Sequence, residues 1–431
     1  MDDARSALTR PQGWALALTA TLTMAVSYVD RQTLAVLAPT VTKALGISDA
    51  AYGWLVSAFS IAYLVGAPPA GQLIDRLGAR RGLLGAVGTW SLVAALHALV
   101  PGFGVLFGLR IALGLAEAPS FPGAAQTIHR ALPPEDRARG FGVLFTGSSI
   151  GAMVAPPLAT WLAGHYGWRV AFLGTAACGL VWVPIWLSVA WTGRARAALD
   201  ARPSGEAGAS SSPSVARAAD APSAPRAGST ISPLQLLTHP AVLRTIAVVL
   251  ASSPVLSFVL NWGAKYLVRD HHLTQADVGR YLWLPPVMFD VGAIAFGHFA
   301  SRRARALGDG SPPRALLAAA MCLCALGAVI PFAGGPWPAM ITAGVCLAGG
   351  GGLFALATAD MLARVPPGAV STAGGITAAA QSLAYIVANP LVGRWVEYLG
   401  SYRVILEVLG LWVLPGSLIW LFWKPPPSVN R

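Results

Sequence analysis

The sequence has 431 residues, of which 55% are hydrophobic and 11% are charged, and its mean hydropathy is +0.60. Long apolar stretches run from end to end, and this composition excludes an ordinary water-soluble domain. The net charge of +12 could indicate nucleic-acid binding, but the arginines collect in alternate loops between the apolar stretches, which is the pattern that orients a membrane protein. We therefore expect a multi-pass protein of the lipid bilayer that binds no nucleic acid.

Twelve stretches approach the roughly 20 apolar residues that a helix needs to cross a bilayer. We predict an all-α polytopic protein with twelve transmembrane helices. Because the arginine-rich loops lie on the same side as both chain termini, both termini are expected in the cytoplasm. The predicted spans, in chain order, are Trp14–Leu37, Tyr52–Ile74, Leu83–Val100, Val105–Gln126, Gly140–Ala163, Val170–Trp191, Leu243–Leu267, Val278–Ala300, Ala315–Phe332, Ala339–Ala363, Thr372–Val396 and Val404–Trp423.

A segment rich in Ser, Ala, Pro and Gly separates the sixth and seventh spans, and such a composition is typical of a flexible linker. We predict an N-terminal six-helix half over residues 1–191, a disordered cytoplasmic linker over 192–235 and a C-terminal six-helix half over 236–431. The halves resemble each other: "GISDAAYGW" parallels "LTQADVGRY", and "GQLIDR" parallels "GHFASR" at the same offset. Such an internal duplication is typical of secondary transporters that hold their substrate at the midplane between two halves.

The loop after the second span reads "GQLIDRLGARRG", and it resembles the cytoplasmic signature of the major facilitator superfamily. Five further stretches, "YVDRQTLAVLAP", "RIALGLAEAPSFPGA", "GSSIGAMVAPPL", "YGWRVAF" and "FDVGAIAFG", resemble the anion:cation symporter family, in particular bacterial hexuronate and galactonate carriers. The likeness covers nearly the whole chain apart from the linker. It implies the major facilitator fold, with two pseudo-symmetric halves, in a bacterial inner membrane. Asp75, Arg76 and Arg80 are the expected gate, in which the acid pairs with arginines across the loop and latches the halves in one state.

Five charged residues lie inside predicted spans, where a charge near the bilayer centre costs ~2.5–3.5 kcal/mol on insertion scales. The neighbours Asp30 and Arg31 point about 100° apart on a helix, so they cannot face each other. Roughly 10 Å of helix rise separates Arg110 from Glu117, which prevents a direct pair in a straight helix. Each charge therefore needs a partner on another helix or in a ligand. The five are Asp30, Arg31, Arg110, Glu117 and Asp290.

A carboxylate substrate would supply the missing negative charge, because a guanidinium holds a carboxylate with two hydrogen bonds. We expect Arg31 to be the main substrate contact, and Arg110 to be a second contact or the partner of Asp30 or Glu117. Asp30 and Glu117 are expected to carry the coupling proton, because burial penalises the charged form of a carboxyl group. The resemblance implies the same roles for Asp30, Glu117 and Arg31. The alternative is a static set of ion pairs that holds the first and fourth spans together.

Several neutral side chains are expected to complete the substrate site. The tyrosines among them match family positions that line the cavity, although each could equally serve packing. The smaller polar groups suit sugar hydroxyls, and the tryptophan could stack on a sugar face. Asp290 fits the hexuronate-like pattern but could simply cap its helix, and His97 is more often a packed histidine than a proton relay. The predicted neutral set is Tyr28, Tyr63, Ser148, Asn261, Trp262 and Gln381.

We therefore predict proton-coupled symport of a small organic anion by alternating access. The expected cargo is a sugar acid such as a hexuronate or an aldonate. A dicarboxylate or an aromatic acid is the alternative cargo, and a receptor with a transport fold that binds without transporting is a further alternative. The sequence contains no HExxH or GxxxxGK motif, so we do not expect an enzyme. We expect a monomer with no disulfide, no metal and no cofactor other than the proton.

Overall fold

The computed structural model describes residues 8–200, 233–307, 313–366 and 369–423, and these ranges are almost entirely helical. Short 3₁₀ turns, His97–Leu99 and Leu326–Phe332, extend α3 and α13. The helices are α1 (Arg10–Ala44), α2 (Asp49–Leu77), α3 (Ala79–Leu96), α4 (Phe103–Glu117), α5 (Ser120–Ala131), α6 (Pro134–Tyr166), α7 (Trp168–Ala190), α8 (Gly193–Asp200), α9 (Pro233–Leu237), α10 (Pro240–Asp270), α11 (Gln275–Leu282), α12 (Leu284–Leu307), α13 (Arg314–Ala325), α14 (Pro336–Leu362), α15 (Val370–Leu399), α16 (Arg403–Leu411) and α17 (Val413–Phe422).

Eleven spans within the described ranges are long and apolar enough to cross a membrane. The first predicted span, α1, is not among them because Asp30, Arg31 and several threonines lower its hydropathy. This helix is nevertheless 35 residues long, which exceeds the length that a bilayer requires. With α1 the eleven spans become the predicted twelve, and the prediction of an all-α multi-pass membrane protein is confirmed.

Prolines divide the fourth and eighth spans into two helices each. In the fourth span, α4 ends at Glu117 and α5 begins at Ser120, because Pro119 and Pro122 lack the N–H groups that a continuous helix would use. In the eighth span, Pro285 and Pro286 follow the break between α11 and α12 in the same way. The predicted proton-binding Glu117 therefore lies at an interruption of its membrane helix.

Helix α1 lies in the middle of the first half and packs closely against α6. A Cβ atom on Gly147 or Gly151 of α6 would collide with the carbonyl oxygens of Thr21 and Ala25 in α1. Small residues at this four-residue spacing allow two membrane helices to approach with their backbones almost in contact. This approach fixes the position of the α1 segment that carries Asp30 and Arg31.

Hydrogen bonds and ion pairs between the two halves concentrate at the end of the bundle where α1 ends and α2 begins. Asp49 pairs there with Lys265 at 2.7 Å and with Arg269 at 3.4 Å, both from α10. On the opposite side of α2, Glu397 of α15 accepts a hydrogen bond from the amide of Ala50 at 2.9 Å. We call these four side chains, Asp49, Lys265, Arg269 and Glu397, the inter-half latch. The structure therefore represents the state that is closed at the latch end.

The first half continues beyond the predicted boundary at residue 191. Helix α8 buries Leu199 and ends at Asp200, whose carboxylate accepts two hydrogen bonds from the buried guanidinium of Arg80. These bonds hold the pKa of Asp200 below its usual range. The beginning of the predicted linker is therefore an ordered part of the first half, because an ion pair and an apolar contact anchor it. Helix α9 likewise falls at the far end of that segment, while residues 201–232 lie outside the described residues.

The predicted gate residues separate into different contacts in this conformation. Asp75 is exposed and accepts a hydrogen bond from Nε2 of Gln126 at 3.0 Å, rather than pairing with an arginine of its own loop. Arg76 is exposed, whereas Arg80 is buried with Asp200 and stacks on Trp191. These contacts lie within the first half, so a latch between the halves at this end stays a prediction.

Candidate substrate and proton site

The centre of the first half holds an ion pair between α1 and α4. The Nη2 group of Arg31 donates to Oε2 of Glu117 at 3.0 Å, and the hydroxyl of Ser27 donates to the same oxygen at 2.7 Å. Glu117 is fully buried, whereas 19% of the Arg31 side chain is exposed. Arg31 is thus paired on one side and open on the other, so an anion that reaches it competes with Glu117 for the same donor groups.

Three aromatic rings surround the Arg31 guanidinium. The ring centroids of Tyr28 and Phe59 each lie 4.6 Å from its central carbon, and that of Tyr63 lies at 4.9 Å. The faces of these rings attract the cation and restrict its position. The structure therefore brings both predicted tyrosines to Arg31. Phe59 was not predicted, although it lies four residues before Tyr63 on the same helix face, and this spacing is the signal that could have found it.

Arg110 lies over the same aromatic ring, and no acidic side chain among the described residues pairs with it. Its central carbon is 4.7 Å from the centroid of Phe59, so this one ring contacts both guanidinium groups. Its side chain is 3% exposed, and within the described part of the chain its Nε and Nη1 atoms have no hydrogen-bond partner. The predicted pairing of Arg110 with Asp30 or Glu117 is absent from the described residues in this conformation, because Glu117 is occupied by Arg31. A second substrate contact at Arg110 stays a prediction.

The surroundings of Asp30 differ from those of Glu117, although both acids were predicted to bind the coupling proton. Its side chain is 3% exposed, and neither carboxyl oxygen has a hydrogen-bond partner among the residues that the structure describes. It lines a narrow pocket together with His97 of the 3₁₀ turn after α3. The first half therefore contains one acid in an ion pair and a second acid that is enclosed without a cation.

The second half contributes neutral groups. Trp262 of α10 is fully buried, and its indole donates to Oδ1 of Asn389 at 3.0 Å. The amide of Asn389 donates in turn to the hydroxyl of Ser257 at 3.0 Å. Trp262 therefore offers no open face for a sugar in this conformation, which differs from the stacking role expected for it. No periodic pattern in the sequence marks Asn389, and only the packing of α15 on α10 brings it to Trp262.

The remaining predicted polar residues are distributed around the contact between the halves. The amide of Asn261 donates to the carbonyl oxygen of Ser257 at 3.0 Å, while Ser148 is half-buried on α6. Gln381 is half-buried on α15, one helix turn before Tyr385, which lies close enough to Tyr28 and Arg31 to interact with them electrostatically. Tyr385 is therefore the second-half hydroxyl that the described contacts bring near Arg31.

Asp290 joins the two halves through a hydrogen bond. The hydroxyl of Ser149 in α6 donates to Oδ1 of Asp290 in α12 at 2.7 Å. Asp290 therefore contacts the other half of the protein rather than capping its own helix. No group of metal-ligating side chains occurs within the described ranges, and the four cysteines are free thiols.

Sequence comparison connects this arrangement with known transporters. The sequence model of the Major Facilitator Superfamily matches residues 20–376. The chain is 34% identical to the hexuronate transporter of Escherichia coli K12 over 174 residues, which is 40% of each chain. It is 27% identical to the D-galactonate transporter of Escherichia coli O6:H1 over 315 residues, which is 71% of this chain and 72% of that protein. The first of these matches thus spans less than half of its relative.

Structural comparison gives the same fold over nearly the full length. A bacterial homologue of the human lysosomal transporter Spinster, solved in an inward-facing and occupied conformation, superposes with a TM-score of 0.73. The match covers 97% of this chain and 100% of that one, at 15% sequence identity. The chain therefore belongs to the Major Facilitator Superfamily, a family of transporters rather than enzymes, and it resembles the members of that family that carry sugar acids.

Proposed function

We propose that the protein is a proton-coupled symporter of a small organic anion, with a hexuronate or an aldonate as the substrate. The observation that carries this proposal is the geometry of Arg31, which is half committed to Glu117 and half open beside Tyr28 and Tyr63. A substrate carboxylate fits the open side of such a guanidinium. The aromatic rings around it leave few competing positions for water.

Coupling follows from competition for one guanidinium. While Glu117 is ionised, it occupies Nη2 of Arg31 and repels an incoming carboxylate. A proton on Glu117 removes that repulsion, so proton and anion each bind better when the other is present. The hydroxyl of Ser27 can then accept the proton of Glu117 in a hydrogen bond, because a hydroxyl both donates and accepts. Arg31 thereby has an anionic partner in both the empty and the loaded carrier.

The transport cycle requires the latch to break and form again. In the predicted orientation, with both termini in the cytoplasm, the latch lies on the outer side. Release of substrate and proton in this state would be followed by opening of the latch and by closure at the Asp75 end. The helix break after Glu117 gives the fourth span a flexible joint next to the coupling acid.

A sugar acid suits the groups across from Arg31. The second half presents amide and hydroxyl groups, such as those of Gln381 and Tyr385, and these hydrogen-bond neutral hydroxyls without adding charge. The relatives named for hexuronate and D-galactonate support the same cargo. A dicarboxylate would leave its second carboxylate without a described cation at this position, unless it reached Arg110.

The test uses the purified full-length protein in liposomes with an imposed pH gradient. Labelled hexuronates, aldonates, aldarates, short dicarboxylates and aromatic acids are offered in parallel, and we expect accumulation of a sugar monoacid that collapses when a protonophore removes the gradient. Accumulation of only a dicarboxylate or an aromatic acid would overturn the proposed cargo. Binding without accumulation of any acid would indicate a receptor and overturn the proposed transport.

A further inference from the structure

Helices α2 and α15 meet along the contact between the two halves, and they approach most closely near the inter-half latch. A Cβ atom on Gly393 of α15 would lie 2.3 Å from the carbonyl oxygen of Asp49. A Cβ atom on Gly53 of α2 would lie 2.4 Å from the carbonyl oxygen of Asn389. The backbones of the two helices are therefore in direct contact over this part of the interface, as small residues allow.

One turn further from the latch, a hydroxyl group of the first half meets a backbone carbonyl group of the second. Ser57, which is fully buried, donates to the carbonyl oxygen of Ile386 at 2.9 Å. One turn beyond this bond, the side chains of Ile61 and Leu383 are exposed. Among the described hydrogen bonds between α2 and α15, the Ser57–Ile386 bond is the one farthest from the latch.

The acceptor in this bond is available because of a proline. In a regular α-helix, the carbonyl oxygen of residue 386 accepts a hydrogen bond from the N–H group of residue 390. Pro390 occupies that position inside α15, and proline has no N–H group. The carbonyl oxygen of Ile386 therefore lacks its usual donor from its own helix, and Ser57 of the other half supplies the missing hydrogen bond.

We propose that the Ser57–Ile386 bond is a conformational switch, in which Pro390 leaves an acceptor on α15 that the other half satisfies only while the latch end is closed. When the halves separate at this end, Ser57 moves away with α2, and the carbonyl oxygen must accept from water or from a hydroxyl of the cargo. A backbone acceptor that loses its donor raises the free energy, so the bond favours the closed state. The inference goes beyond the proposed function, because it holds whichever acid is transported.

The switch lies at the level of the candidate site. On α15, Tyr385 directly precedes Ile386 and lies close enough to Arg31 to interact with it electrostatically. On α2, Phe59 follows Ser57 by two residues, about 3 Å of helix rise. The centroid of the Phe59 ring lies 4.6 Å from the central carbon of Arg31. Separation of the halves would therefore uncover the carbonyl oxygen beside the site rather than at the distant latch.

A backbone acceptor differs from the side-chain contacts elsewhere between the halves. The carboxylate of Asp290, which accepts from Ser149, can rotate toward another donor. A carbonyl group within a helix cannot rotate, so its hydrogen bond depends on Ser57 or on an N–H group at position 390. An N–H group restored at that position should make the hydroxyl of Ser57 dispensable.

The experiment is a double-mutant cycle on the purified full-length protein. Ser57→Ala removes the donor, and Pro390→Ala supplies an N–H group that satisfies the Ile386 carbonyl oxygen within α15. Ser60→Ala is the matched control for the first change, because Ser60 bonds a carbonyl oxygen of its own helix. Pro184→Ala is the control for the second, because Pro184 lies at an exposed position inside α7 of the first half. Pro390→Gly replaces Pro390→Ala if the latter does not purify as a monodisperse protein.

The measured quantity is the distance between the halves at the latch end. Spin labels at Ala44 of the first half and Tyr398 of the second, both exposed, report it by their distance distribution. The background carries Cys322→Ser, which removes the exposed thiol. The populations at short and long distance give the ratio of latch-open to latch-closed molecules.

We expect Ser57→Ala to raise the ratio of latch-open to latch-closed molecules about five- to tenfold, because the carbonyl oxygen loses its donor in the closed state alone. In the Pro390→Ala background, the same change should alter the ratio less than about twofold, since the two substitutions act on one acceptor. Ser60→Ala and Pro184→Ala should leave the ratio unchanged.

Two results would overturn the inference. One is an unchanged ratio in Ser57→Ala. The other is an equal shift with and without Pro390→Ala, because it would show that Ser57 acts through its packing rather than through the Ile386 carbonyl oxygen. The labels require neither substrate nor a pH gradient, so failure of the switch leaves the proposed function standing. Absence of uptake in liposomes would likewise leave the result of this cycle intact.

Discussion

The two halves of the molecule differ in the buried polar groups that they place near the central site. In the first half, Asp30 and Arg110 have atoms without partners, and Arg31 is only partly committed. In the second half, Asn389 bonds both Trp262 and Ser257, and all of these groups are neutral. Proton and anion binding require charges that can change partner, whereas recognition of a neutral hydroxyl requires fixed donors and acceptors. Under the proposed function, the proton and the anion would bind to the first half, and the second half would supply hydrogen-bonding groups that do not change their charge.

The buried charged residues described in the second half, Arg244, Asp360 and Arg364, form one ion-pair cluster. Asp360 of α14 pairs with Arg244 of α10 at 3.2 Å and with Arg364 at 2.8 Å. Arg244 also donates to the carbonyl oxygen of Trp420 in α17 at 3.0 Å and stacks on its ring. This cluster joins three helices, so we expect its loss to affect folding rather than coupling. The duplicated halves have therefore kept a common architecture while their charges serve different purposes.

The largest expected effect comes from Arg31→Ala. Each charge-assisted hydrogen bond is worth about 1.5–3 kcal/mol, so losing two to a substrate carboxylate should weaken binding on the order of 100-fold or more. Equilibrium binding of the transported acid to purified protein measures this. The exposed Arg81→Ala serves as the control for loss of a positive charge. Retained affinity in Arg31→Ala would move the anion site out of the first half and remove the basis of the comparison.

Glu117→Gln should separate binding from coupling. The neutral amide imitates a permanently protonated acid, so the variant should bind substrate and exchange it in counterflow but fail to accumulate it under a pH gradient. Glu135→Gln, at the exposed start of α6, is the matched control. Accumulation at the wild-type rate in Glu117→Gln would exclude this acid as the coupling group. It would leave Asp30 as the candidate within the first half.

Asp360→Asn tests the other side of the comparison. Removing one partner of a buried ion pair costs about 3–5 kcal/mol, because the arginines would be left buried without their counter-charge. We expect a lower thermal transition and a lower yield of folded protein, with pH-driven accumulation per folded molecule unchanged. Asp277→Asn, on the more exposed α11, controls for the change of charge. A normal yield together with lost coupling would show that the second half also takes part in proton transfer.

The sequence predicted the twelve spans and the charged residues because each leaves a local mark, either a long apolar stretch or an ionisable residue within one. It could not decide which charges meet, because Arg31 and Glu117 are 86 residues apart and only the packing of α1 on α4 joins them. Asn389 was missed for the same reason, since a lone amide in a membrane helix carries no local signal, whereas Phe59 was marked only by its four-residue spacing from Tyr63. The extent of the linker was misjudged because the composition of α8 gives no indication that Arg80 anchors Asp200.

The smallest expected effect concerns the inter-half latch, to which both halves contribute charged side chains. Asp49→Asn removes ion pairs to Lys265 and Arg269, which are partly exposed and therefore worth about 0–1 kcal/mol each. We expect the population of the state open at this end to rise a few-fold. Spin labels at Gly46 and Ser401, in a background with Cys322→Ser, would report it as a longer distance between the labels.

Glu407→Gln is the matched control for this change, because Glu407 forms a 3.1 Å ion pair with Arg403 within the second half. Loss of a pair inside one half cannot favour either state unless it also alters the contact between the halves. A longer distance in Asp49→Asn alone would show that the ion pairs across the interface bias the conformational equilibrium. Equal distances in the two variants would mean that the packing of α2 on α15 holds the halves together at this end, and that charge in this protein controls what binds rather than which state is closed.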